Sequence, residues 1–231
     1  MTDNPADGVV LSREKLLYLQ GETEIALNPR DPRHREPKFP PGARVLGIGA
    51  GGGYPGQADG LESFISIDPD PEALAYRLMN NPEDKSVIGV GEDLSRFADN
   101  QFDFVYARGC LMYTHIPTVM RQVARVLEPG GTFWITYHDW HHELAHLGGS
   151  VRRGVWKDVI YRSYIMGNGL LYHLTGSLLR FPFNRARMES YQTRSALARE
   201  LIRSGFENVT FPPPDFPGQI PLLVTATRRR S

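Results

Sequence analysis

Short apolar runs recur along the chain, each ending near a turn residue. Residues 44–48, 63–67, 86–90, 102–107 and 132–137 read as five strands. Between them, 71–80 and 116–127 have helical texture. Pro71 opens the first of these helices, where its missing N–H costs nothing. Alternating strand and helix at this spacing implies right-handed crossovers and a parallel sheet. Upstream, 11–27 is patterned as a helix, with Leu16, Leu17, Leu19 and Ile25 as its apolar part. Residues 28–41 are proline-rich and charged, and read as a linker or lid. After Tyr137 the regularity stops. The stretch 138–187 is aromatic, basic and helical in texture. A helix over 195–204 is stopped by Gly205, and two closing strands follow at 206–211 and 221–227, joined through 212–218.

The expected architecture is one α/β domain over 1–231. An N-terminal helix and lid (1–41) precede the core (42–137). A helical insertion on the acceptor side (138–192) covers one sheet edge, and a closing helix and strands (193–231) complete the fold. Composition changes little. Apolar residues make up 41% of the 231, enough for a full core, and 23% are charged. Lys plus Arg and Asp plus Glu are 26 each, so no global field recruits nucleic acid or an anionic membrane. Arg152–Arg153 and 228–230 read as solvated surface. Cys110 is the only cysteine, which excludes an internal disulfide and a cysteine-rich zinc site. Residues 1–8 are polar and acidic, unlike a signal peptide, and no apolar run approaches a membrane span. The expected location is cytoplasmic.

Gly49, Gly51 and Gly53 directly follow the first strand. Glycine there lets the backbone turn tightly and approach a ligand closely. The next strand ends at Asp68, nineteen residues after Gly49. That spacing puts a carboxylate at the neighbouring strand tip, where it can accept both hydrogen bonds of a ribose diol. Counted from Gly49, the dinucleotide fingerprint G-x-G-x-x-G/A meets Tyr54 where its third small residue belongs. The pattern present, G-x-G-x-G, suits an adenosyl ligand with no pyrophosphate. The blander reading is a plain turn, with Asp68 capping the helix that follows.

The segments VLGIGAGGG (45–53), SIDPDPEAL (66–74), GEDLSRFADNQFDFVYA (91–107) and RVLEPGGTFWIT (125–136) stand in order. Together they resemble the successive motifs of class I S-adenosylmethionine-dependent methyltransferases, most of all the small-molecule branch. The resemblance covers about 42–137. It implies a Rossmann-like, mostly parallel seven-stranded sheet with flanking helices and a helical insertion after the fifth strand. It implies S-adenosylmethionine as cofactor. Gly49, Ala50 and Gly51 would pass under the methionine part, Asp68 would hold the ribose hydroxyls, and Pro69 would lie against the adenine. Gly91, Glu92 and Asp93 would border the adenine ring. Ala107 and Arg108 would face the transferable methyl. Pro129-Gly130-Gly131 matches the family's turn before the fifth strand. The family usually has an acid where this chain has Gly47, and often an Asp where it has Val90; both departures point to weaker cofactor binding.

Methyl transfer from a sulfonium asks for in-line alignment and exclusion of water. An oxygen nucleophile also needs a base. His138 comes first after the fifth strand, in the run His138-Asp139-Trp140-His141-His142, and its ordinary pKa near 6.5 suits that role. The alternatives are a solvated helix start with Asp139 in its first turn, or a metal site; the first is the simpler, and no metal is expected. Tyr113, Thr114 and His115 follow the fourth strand and match the loop that borders the acceptor; Tyr113 is a second catalytic candidate. Cys110 reads as a buried inert thiol. In the insertion, aromatics alternate with arginines, which suits either a ring-bearing acceptor or a self-packed helical cap.

The sequence therefore points to a methyltransferase acting on a small-molecule acceptor, with an oxygen nucleophile preferred. An NAD-dependent oxidoreductase and a non-catalytic protein retaining the fold are the competing readings. No nucleic-acid partner and no membrane span are expected.

Overall fold

In the computed structural model, described for residues 9–53, 57–185, 187–219 and 222–230, the apolar runs form one sheet. Residues 1–8, Tyr54 and Pro221, on which some expectations above rest, lie outside the described residues. The strands are β1 (Arg44–Ile48), β2 (Ser63–Asp68), β3 (Lys85–Ile88), β4 (Phe102–Arg108), β5 (Leu127–Thr136), β6 (Phe206–Thr210) and β7 (Leu223–Arg228). Their spatial order is β3-β2-β1-β4-β5-β7-β6. β1 to β5 are parallel, and β7 runs antiparallel to both β5 and β6. The helices are α1 (Arg13–Leu27), α2 (Pro71–Asn80), α3 (Ile116–Val126), α4 (Trp140–Arg153), α5 (Trp156–Thr175) and α6 (Arg194–Arg203).

Alternation along the strands separates two cores. Leu46, Ile48, Val105, Ala107, Phe133 and Ile135 point to the face covered by α3 and α6. Helix α3 fits because Val119, Met120, Val123 and Val126 recur at helical spacing and are fully buried. Val45, Phe64, Phe104, Tyr106 and Trp134 point the other way. Helix ends follow local chemistry. Asp70 accepts the Glu72 N–H at 2.9 Å to start α2, and Gly154, at φ +69°, ends α4.

The structure adds detail to three expectations. Pro129-Gly130-Gly131 is a bulge inside β5, which begins at Leu127. Phe102 pairs with Leu127 and Phe104 with Thr132, and Gly130 takes up the slack at φ +89°. Residues 28–41 are pinned, so they are no free lid. The Phe39 ring meets Phe64 and Phe104 edge-on at 5.9 and 5.2 Å, and the His34 carbonyl accepts from Gln219 at 2.8 Å. The insertion, expected to cover one edge of the sheet, packs α4 on α5 and α5 on α6, with Tyr172 in the main core. Its return path crosses the strand ends: the Ser190 N–H donates to Met112 O (3.1 Å), and Gln192 and His138 exchange two hydrogen bonds.

Candidate active site

Among parallel strands, ligands bind beyond the carboxyl ends where the order reverses, here between β1 and β4. The loop after β1 sits there. Gly49, Gly51 and Gly53 have φ of +58°, +53° and +59°, which side chains rarely tolerate. At Gly49 and Gly52 there is also no room for a side chain. A β-carbon on Gly49 would lie 2.3 Å from Cβ of Cys110, and one on Gly52 would lie 2.5 Å from the Tyr76 ring. The loop is a backbone cradle pressed between the turn after β4 and helix α2.

Asp68 ends β2 beside this cradle. One carboxylate oxygen accepts the Gly51 N–H at 3.0 Å, and the other accepts the Asp70 N–H at 2.9 Å. Each oxygen keeps a lone pair for a further donor such as a hydroxyl. Burial pushes its pKa above the usual carboxylate value, while the two backbone N–H groups pull the other way. Asp68 does not cap α2; Asp70 does. Helix α1 lies over this corner. Lys15 pairs with Asp70, and Leu19 packs with Ala73 and Tyr76.

Next to Asp68 opens a cleft of about 350 Å³, lined by Pro69, Ile88, Gly89, Val90, Asp93 and Ser95 among others. Ile88 and Val90 are 48% and 41% exposed, so the cleft offers apolar surface to a flat ring. Val90 thus supplies a wall where the family's acid would supply a hydrogen bond. Asp93 is exposed at the rim and accepts the Ser95 N–H. Gly91 is buried instead: a β-carbon there would lie 2.8 Å from Ile48. Glu92 accepts the His115 N–H at 2.9 Å and so ties down the loop after β4. A glycine cradle, a buried carboxylate and a neighbouring apolar slot fit the adenosyl ligand that the motifs imply.

Gly47 has a structural reason. It pairs with Tyr106, whose hydroxyl lies 2.6 Å from the point a Gly47 β-carbon would occupy. Beneath the loop, Gln57 donates to the Tyr106 oxygen (3.0 Å) and accepts from Arg77 (3.0 Å). Arg77 is fully buried, pairs with Asp84 at 2.7 Å and stacks on Phe64. The Tyr106 ring fills the space that a Gly47 side chain would occupy.

Near the end of β4, the Ala107 side chain is fully buried in the core, so only its backbone can reach the crevice. Arg108 is half-buried at the strand end. The Gly109 N–H donates to Thr136 at 2.8 Å, which fixes the turn. The Cys110 thiol donates to Ile48 O, and burial pushes it up to about 12. Tyr113 stands in a one-turn 3-10 helix, 58% exposed. Its phenol is pushed up to about 12, first by desolvation and then by Glu189, Tyr18 and Glu143. It stays protonated at neutral pH and can donate a hydrogen bond but not serve as base.

His138 follows β5, and its buried Nδ1 has no hydrogen-bond partner among the described residues. Burial and the nearby His142 lower its pKa, so the ring is neutral at physiological pH. Asp139 caps α4 by accepting the His142 N–H and also contacts His141. Among the described residues, no group of three His, Cys, Asp or Glu side chains converges as metal ligands. Close by lie two acids that the sequence reading missed. Glu143 is buried and pairs with Arg162 at 2.7 Å. Glu189 is buried and accepts from Tyr161, with its pKa raised by that burial. Glu143 was findable, since acids are rare in the insertion; the Tyr106–Gln57–Arg77 network left no local signal.

Comparison with known proteins agrees. Residues 45–135 match the family described as a methyltransferase domain. An uncharacterised methyltransferase of Synechocystis is 33% identical over 100 residues, covering 40% of this chain and 46% of that protein. A sterol 24-C-methyltransferase of Schizosaccharomyces pombe is 30% identical over 129 residues, covering 46% of this chain and 33% of that protein. The chain thus spans less than half the length of these curated relatives. A putative methyltransferase of Haloferax volcanii, solved in complex with the Trm112 methyltransferase activator, superposes with a TM-score of 0.60 at 15% identity. That alignment covers 96% of this chain and 100% of the other, which shows a shared fold. Residues 45–135 thus match a methyltransferase domain, and the described fold is shared with a solved methyltransferase.

Proposed function

We propose that the protein transfers a methyl group from S-adenosylmethionine to a small molecule held beyond the ends of β4 and β5, beneath the insertion. The observation that carries this reading is the alignment of the Gly49–Gly51 cradle, the Asp68 carboxylate and the apolar Pro69–Val90 slot along one crevice. When bound, the cofactor supplies an electrophilic methyl on sulfonium. The protein's share is then positional. Asp68 receives the ribose hydroxyls, Pro69, Gly91, Glu92 and Asp93 border the adenine, and Gly49, Ala50 and Gly51 run under the methionine part. Ala107 and Arg108 face the methyl.

The acceptor nucleophile in this proposal is a hydroxyl. His138 takes its proton through a ring held neutral by burial, and Tyr113 orients the acceptor as a hydrogen-bond donor. The aromatic and acidic lining made by Tyr161, Glu143 and Glu189 would shape the pocket. Thermal shift tests the ligand class: S-adenosylhomocysteine should raise Tm and NADH should not. Stabilisation by NADH alone would favour an oxidoreductase, and no shift with either a non-catalytic protein. Transfer of labelled methyl to a small-molecule panel then tests the reaction.

A further inference from the structure

Helix α5 buries one stripe, made by Ile165, Asn168, Gly169 and Tyr172. On the opposite ridge, Trp156, Ile160, Ser163, Gly167, Leu170 and Leu174 follow one another at three- and four-residue spacing, and all are exposed. None carries a charge. Trp156 is 70% exposed and Leu174 67%. The ridge runs about 27 Å at helical rise. Beyond Gly176 it continues into Leu179 and Phe183, also exposed. The solvent side of a helix normally carries the charges, so an uncharged ridge there marks a contact surface.

The charges stand around the ridge. Over residues 140–187 there are seven Lys and Arg against two acids, although the whole chain is balanced. Arg152, Arg153 and Lys157 are exposed at the tip of the α4–α5 hairpin, and Arg180 and Arg185 at the other end. Of the two acids, Glu143 is buried against Arg162. Asp158 follows Trp156 by two positions, about 200° round the helix and off the ridge. A second copy of this chain docking by two-fold symmetry would bring such a cationic surround against itself, which costs energy. A surface that is apolar below and anionic at its rim matches it.

We propose that the α4–α5 hairpin seats on an anionic lipid bilayer. Helix α5 lies along the surface, its Trp156–Leu174 ridge enters the headgroup boundary, and the end cations meet lipid phosphates. The helix does not cross: among the described residues no helix is long and apolar enough. The test is co-sedimentation of the full chain with vesicles. Binding is expected to phosphatidylcholine–phosphatidylglycerol vesicles, to weaken as salt rises, and to be absent with phosphatidylcholine alone. Ile160→Asp and Leu174→Asp, both at solvated positions, should abolish binding with unchanged Tm. Arg152→Glu with Arg153→Glu should weaken it about tenfold or more. No binding to the anionic vesicles, wild-type binding by the aspartate variants, or a solution dimer that Leu174→Asp dissolves would each overturn the proposal.

Discussion

The Tyr106 ring lies on Gly47, close enough that its hydroxyl is 2.6 Å from the site of a Gly47 β-carbon. Two neighbouring strands have thus exchanged a side chain on one for ring volume on the other. Gly47→Ala should destabilise the fold by about 1–3 kcal/mol through overpacking. In a Tyr106→Ala background the same change should cost much less, because the obstruction is gone. Additive losses of Tm in the double variant would refute the contact. Gly47→Asp should lower stability without tightening cofactor binding.

Asp68→Asn should weaken S-adenosylhomocysteine binding by about 1–3 kcal/mol, the worth of a hydrogen bond to a charged acceptor. Calorimetry reads it directly, and wild-type affinity would remove Asp68 from the site. Burial raises the Asp68 pKa, so the ionised acceptor is lost on acidification at a higher pH than for an ordinary carboxylate. Affinity should begin to fall correspondingly early.

His138→Ala should slow methyl transfer by about 10²–10⁴-fold while sparing cofactor affinity. A normal rate would strike it out as base. Its depressed pKa puts the acid limb of the rate profile below pH 6.5, with activity rising as the ring loses its proton. The linkage has the same sign: the unfolded ring binds a proton below 6.5 before the buried one does. Stability therefore falls as pH drops from 6.5 toward the folded value.

Cys110 should resist iodoacetamide at pH 8, because burial holds the thiol up at about 12 and the thiolate is the nucleophile. Alkylation at the rate of an exposed thiol would contradict that placement.

Local signals in the chain were enough for the strand and helix scaffold. β1 and α2 fall on the residues their patterns indicate, because alternation and capping are read over a few neighbours. The ordered motifs likewise point to the cofactor, since the positions of Gly49, Gly51 and Asp68 are read from local spacing. Packing across distant segments decided the rest. Gly47 looked like a missing acid until Tyr106, 59 residues away, was found filling its space. Residues 28–41 read as a linker or lid, and only the fold shows Phe39 held against Phe64 and Phe104. Burial leaves only the backbone of Ala107 to face the crevice and presses Gly91 against Ile48, which spacing alone does not reveal. The uncharged ridge of α5 became visible only when tertiary packing settled which face of that helix is buried. Periodicity shows that a helix has an apolar stripe; which stripe meets the core depends on neighbours far away in the chain.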